Sequence, residues 1–198
     1  MRVKITMVGT SALLMHNAQL SNPANSIAMA IAEITSKTDK TVQDQKEIAR
    51  LEFSGGLYLG EEGPVVPAAN IRKTLINAAK ARREGKSVER ALLPTAVEFP
   101  LLYRGPREPD ALWAEEQFRF LTPVRVGRAR IMRMRPRFNQ WSLESEWELI
   151  EDMLDFKKLV RISAEAGLIE GLCDGRNQGW GRFTADVISV EQKVKAAA

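Results

Sequence analysis

The chain has 198 residues, of which 44% are hydrophobic and 27% charged, with a formal net charge of +4. That length suffices for one sizeable core with an inserted lobe, and the composition is that of an ordinary globular protein. A single cysteine, Cys173, and a single histidine, His16, exclude an internal disulfide and a zinc site of the usual kind, so neither a metal nor a cofactor is expected.

Arg2 to Gly9 alternates, with Val3, Ile5 and Met7 on one side and Arg2, Lys4 and Thr6 on the other, the period of a half-buried strand. The opening MRVKITMVG lacks the apolar run of a signal peptide, and no stretch approaches the roughly 20 apolar residues that span a bilayer. A cytoplasmic protein without a membrane partner is therefore expected. Leu13 to Leu20 follows, broken by Ser21-Asn22-Pro23. Asn25 to Lys37 and Val42 to Phe53 read as helices, and Gly55-Gly56 closes the second. Leu57 to Leu59 is a short apolar run, Glu61-Glu62-Gly63 a turn, and Pro64-Val65-Val66 leads into Pro67. Pro67 starts a helix whose apolar stripe is Ile71, Leu75, Ala78 and Ala79.

Val97 to Tyr103 reads as a strand, Gly105 to Pro109 as a loop, and Ala111 to Gln117 as one or two helical turns. Val124 to Phe138 and Trp141 to Ile150 are expected to form a hairpin joined at Asn139-Gln140, the second strand burying Trp141, Leu143, Trp147 and Leu149. Asp152 to Ala166 is a predicted helix with Phe156, Leu159, Val160 and Ala164 inward. A glycine-punctuated loop from Gly167 to Gly181 precedes a last strand, Phe183 to Val190, and the Lys/Ala tail is expected to fray. With an inserted helical lobe at about 20–56 set aside, the order approaches β-α-β-β-α-β. The expected architecture is α+β: one ferredoxin-like or RRM-like domain over 1–198, an antiparallel sheet with helices on one face.

Three constellations carry possible chemistry. Between Phe118 and Phe138 stand Arg119, Arg125, Arg128, Arg130, Arg133, Arg135 and Arg137 without one acidic residue. On an ideal strand Arg128 and Arg130 share one face and Arg133, Arg135 and Arg137 the other, which suggests a bulge near Ile131. Two readings stand side by side. Glu144, Glu146 and Glu148 of the facing strand neutralise some arginines across a solvated hairpin, or the guanidinium groups meet phosphates and bases. The second constellation is the loop from Gly171 to Phe183, where Arg176 and Arg182 suit phosphate and Trp180 suits either base stacking or the core. The basic residues Arg72 and Lys73 of the Pro67 helix divide the same way, between the helix dipole and nucleic acid. The third is His16, after Leu13-Leu14-Met15, which is structural or a weak candidate for acid–base work.

Three segments, in order, resemble the RAMP superfamily, the RRM-like proteins that include RNA-binding backbone subunits of CRISPR effector complexes. They are the first strand with Leu13-Leu14-Met15-His16-Asn17, the helix start Val66 to Leu75, and the loop ending Gly179-Trp180-Gly181-Arg182-Phe183. The helix start departs from the family pattern, with Ala68 and Thr74 where glycines are usual. The resemblance implies a non-catalytic subunit that oligomerises along single-stranded RNA within a ribonucleoprotein. Nuclease relatives use an aspartate after the first strand; Asn22, Asn25, Asp39 and Asp44 occupy that region and match no such motif. The same basic groove also suits a phage single-stranded DNA-binding or annealing protein, and a RAMP-type endoribonuclease is the remaining alternative.

Overall fold

The computed structural model describes residues 1–127 and 129–190. In chain order the strands are β1 (Arg2–Gly9), β2 (Leu13–Leu14), β3 (Leu59–Gly60), β4 (Gly63–Pro67), β5 (Leu92–Pro94), β6 (Glu98–Pro100), β7 (Arg119–Val126), β8 (Ala129–Phe138), β9 (Ser142–Leu149) and β10 (Phe183–Ser189). The helices are α1 (Ser26–Thr35), α2 (Val42–Gly56), α3 (Ala68–Lys80), α4 (Gly85–Ala91), α5 (Pro109–Ala114) and α6 (Phe156–Glu165). Among the described residues no helix is long and apolar enough to cross a membrane.

The principal sheet runs β10-β1-β9-β5, every neighbouring pair antiparallel. Reduced to β1-α3-β5-β9-α6-β10, this is the ferredoxin-like plan, in which the first and third strands sit at the centre. The alternation of β1 decides its two faces. Val3, Ile5 and Met7 are fully buried, and across the ladder they meet Trp147, Ser145 and Leu143 of β9. Ser145 donates to the Ile5 carbonyl and accepts from the Trp147 indole at 2.9 Å, so the largest buried ring leaves no orphan N–H. α6 packs on β10 and α3 on α6, and their apolar residues join the sheet in one core. The opposite face is solvated: Arg2 pairs with Glu148, and Lys4 with Glu144 and Glu146.

Those ion pairs overturn the expected hairpin. β9 does not lie beside β8; it pairs with β1 and β5, and among the described residues its glutamates form ion pairs with Arg2 and Lys4 of the first strand. The hairpin is instead β7–β8, turning through Gly127 (φ +59°), a conformation open to glycine at little cost. Its register runs without interruption from Arg119↔Pro136 to Val126↔Ala129, so there is no bulge near Ile131. Strand parity alone puts Arg130 on the face opposite Arg133. Two further corrections concern the frame. The strand that follows α3 in the principal sheet is Leu92–Pro94, whereas Glu98–Pro100 joins β3 and β4 in a separate sheet. α6 starts at Phe156, capped by Asp155, and not at Asp152; Val160 and Ala164 are exposed, because the stripe turned to the core is Leu159, Ile162, Ser163 and Ala166, spaced i, i+3, i+4, i+7. The Lys/Ala tail lies outside the described residues.

Candidate nucleic-acid interface

β2 pairs with β8 and forms a bridge from Leu14 to Asp174, which ties the segment after β1 to both the basic hairpin and the glycine loop. His16, two residues beyond, thereby stands between two clefts. One, of about 120 Å³, is lined by His16, Tyr58, Asn70, Lys73, Cys173, Asp174 and Arg176. The other, of about 250 Å³, is lined by His16, Glu52, Arg133 and Arg135 among others. α3 therefore supplies Lys73, β8 supplies Arg133 and Arg135, and the loop supplies Arg176, four cations from three parts of the chain around one histidine.

The electrostatics of the two sides differ. Arg133 pairs with Glu52 of α2, which also accepts the Met134 backbone N–H at 2.8 Å. Arg135 donates through Nε to Asp174 at 2.9 Å. Among the described residues Lys73 and Arg176 have no acidic partner. Burial, and then the neighbouring Arg135 guanidinium, hold His16 below its ordinary 6.5, and its buried Nδ1 has no hydrogen-bond partner among the described residues. Tyr58 donates to the His16 carbonyl at 2.9 Å, and burial raises its phenol. Burial also pushes the Cys173 thiol up to about 12, which keeps it protonated and inert as a nucleophile.

The glycine loop is held by small groups that sequence reasoning missed. Ser11 accepts the Arg182 backbone N–H at 2.8 Å and donates to the Gly179 carbonyl at 2.9 Å. Gly181 has φ +70°, and a Cβ there would stand 2.1 Å from the Leu172 carbonyl oxygen, so glycine is required. Trp180 packs edge-on against Phe120 of β7, ring centres 4.9 Å apart, and Arg137 lies over the same Phe120 ring at 5.4 Å. Trp180 thus joins the loop to the hairpin while staying half-exposed. Arg182 donates to the Arg176 carbonyl at 3.3 Å, and its buried Nη1 has no partner among the described residues.

Other predicted residues lie elsewhere. Arg72 turns to the C-terminal end of α4, donating to the carbonyls of Glu89 and Leu92, a capping role. Arg125 and Arg130 are cross-strand partners near the hairpin tip, roughly 17 Å from Arg135 along the strand at about 3.3 Å per residue. Arg128 lies outside the described residues. Missed altogether were Glu52, Tyr58, Asn70 and Asp174. For Asn70 and Asp174 a signal existed, since both sit in motifs already singled out. Glu52 carries none, because one acid in a polar helix looks like any solvated residue.

No family model matches the chain, and no curated protein matches it. A solved structure does share its fold. A chain of the type III-B Cmr-beta complex bound to cognate target RNA aligns over 95% of this chain with a TM-score of 0.50 and 11% identity, and this chain spans 60% of that one. A chain of a type IV-B CRISPR complex aligns over 96% of this chain and 91% of its own length, with a TM-score of 0.46 and 10% identity.

Proposed function

We propose that this protein is a non-catalytic, single-stranded RNA-binding subunit of a CRISPR-type ribonucleoprotein, gripping the phosphate backbone at the clefts around His16. The observation that carries the reading is the convergence of Lys73, Arg133, Arg135 and Arg176 on one histidine from elements distant in sequence. Guanidinium groups present planar donor pairs to phosphate oxygens. Arg137, Trp180 and Arg182 extend the surface along the hairpin–loop seam. The shared fold with a chain of an RNA-bound complex supports the choice of RNA.

The test is fluorescence anisotropy with a labelled single-stranded RNA between 50 and about 300 mM salt. Neutralising several phosphates makes log affinity fall linearly with log salt, by about 0.7 for each phosphate contact on a single strand. Lys73→Ala with Arg176→Ala should weaken binding at least ten-fold and flatten the slope by about 1.4, at about 0.7 per lost contact. Affinity independent of salt, or a double variant that binds as the wild type does, overturns the reading. Competition by DNA of the same sequence measures how far the 2′-hydroxyl is read; equal competition removes RNA preference and points to a single-stranded DNA-binding protein.

A further inference from the structure

Two arginines of the proposed cleft are held by acids of the chain itself, and the two acids are built differently. Glu52 is buried, with 6% of its side chain exposed, and uses both oxygens, one on Arg133 and one on the Met134 N–H. Asp174 is 35% exposed and accepts one N–H, from Arg135 Nε, through one oxygen. Its backbone is anchored separately, donating to the Leu14 carbonyl at 2.9 Å, so its side chain can leave without the loop moving. Arg135 itself has only 8% of its side chain exposed and also donates to the Met134 carbonyl, so it stays in place when its partner goes. Asp174 lines the smaller cleft together with Lys73 and Arg176, which have no acidic partner among the described residues, while the Arg135 that it holds lines the other cleft beside His16.

We infer that Asp174 is the cleft's displaceable counter-ion: in the free protein its carboxylate occupies the position on Arg135 that an RNA phosphate takes on binding, while Glu52 is a fixed positioning residue that stays. This inference rests on the RNA-binding reading and adds a specific exchange to it. Carboxylate and phosphate offer a guanidinium the same kind of anionic oxygen, so one replaces the other without rebuilding the site. The exchange makes the free cleft nearly neutral at Arg135, which disfavours small anions that cannot engage Lys73 and Arg176 at the same time. It also hides one phosphate contact from the salt dependence, because the released carboxylate takes up a cation as the phosphate loses one.

The experiment is the same RNA titration on the full chain carrying Asp174→Asn, which keeps the shape and one acceptor and removes the charge. Affinity at 50 mM salt should rise roughly five-fold, the scale of a partly exposed ion pair, and the salt slope should steepen by about 0.7. Glu148→Gln makes the same change in net charge on the far face of the sheet and should do neither. In an Arg135→Lys background the gain from Asp174→Asn should shrink, since the donor that accepts the exchange is altered. Weaker or unchanged RNA binding by a folded Asp174→Asn protein overturns the inference. So does an equal gain in Glu148→Gln, or a gain that persists in full without Arg135. If Asn at 174 lowers the melting temperature, Asp174→Ser repeats the test with a smaller side chain. Wild-type binding that ignores salt overturns the functional reading instead, and is recognised before any variant is made.

Discussion

Glu52 offers a direct measure of how the basic strand is held. Glu52→Ala removes the acceptor for Arg133 and for the Met134 N–H, at a site where the acid is 4% exposed. A backbone donor left unsatisfied in a buried position costs about 1–3 kcal/mol. Breaking a fully buried ion pair costs about 3–5 kcal/mol, but Arg133 keeps 31% of its side chain in solvent and recovers part of that by hydration. The two contributions overlap, and together they give a loss of about 3 kcal/mol. Urea denaturation followed by tryptophan fluorescence should show it as a midpoint lowered by about 1–1.5 M, with m near 2–3 kcal/mol/M and unchanged. Glu52→Gln keeps an acceptor for Met134 and should lose about half as much. A loss under 1 kcal/mol for the alanine variant refutes the reasoning, as does an equal loss for both.

Four other outcomes follow from the geometry. Trp147→Ala empties the centre of the principal sheet and removes the donor to the Ser145 hydroxyl, at a cost of about 3–5 kcal/mol by the same denaturation. Gly181→Ala should abolish the native loop, since the new Cβ meets a backbone oxygen at 2.1 Å; RNA affinity should fall together with the melting temperature. His16 has a folded pKa below its unfolded value, so the unfolded chain takes the proton first and stability falls as pH drops below about 6.5; His16→Gln should flatten that limb of the stability–pH curve. Cys173, its thiol pushed up to about 12 by burial, should resist alkylation at pH 8 in the native protein and react at once in denaturant.

Much of the frame was legible locally. The alternation of Arg2 to Gly9, the stripe Ile71, Leu75, Ala78 and Ala79, and the glycines around Trp180 each announce their own conformation, because period and turn chemistry act over a few residues. The strand Trp141 to Ile150 likewise showed which side chains it buries. What it did not show was its neighbour. Alternation specifies a face and leaves the edges undetermined, and Asn139-Gln140 looked like a hairpin turn while the true turn, at Gly127, lay inside a stretch read as one strand.

The candidate site divides the same way. Charge and glycine content by themselves marked β8 and the loop as basic and able to meet anions. Only the tertiary structure decided that Arg133 and Arg135 are taken up by Glu52 and Asp174, that Glu144, Glu146 and Glu148 serve the first strand, that Arg72 caps α4, and that Lys73 and Arg176 are left facing the cleft beside His16. The reason is physical. An ion pair forms between groups a few ångströms apart in space, and the pairs here join residues 81 and 39 positions apart, a separation that neither composition nor period encodes.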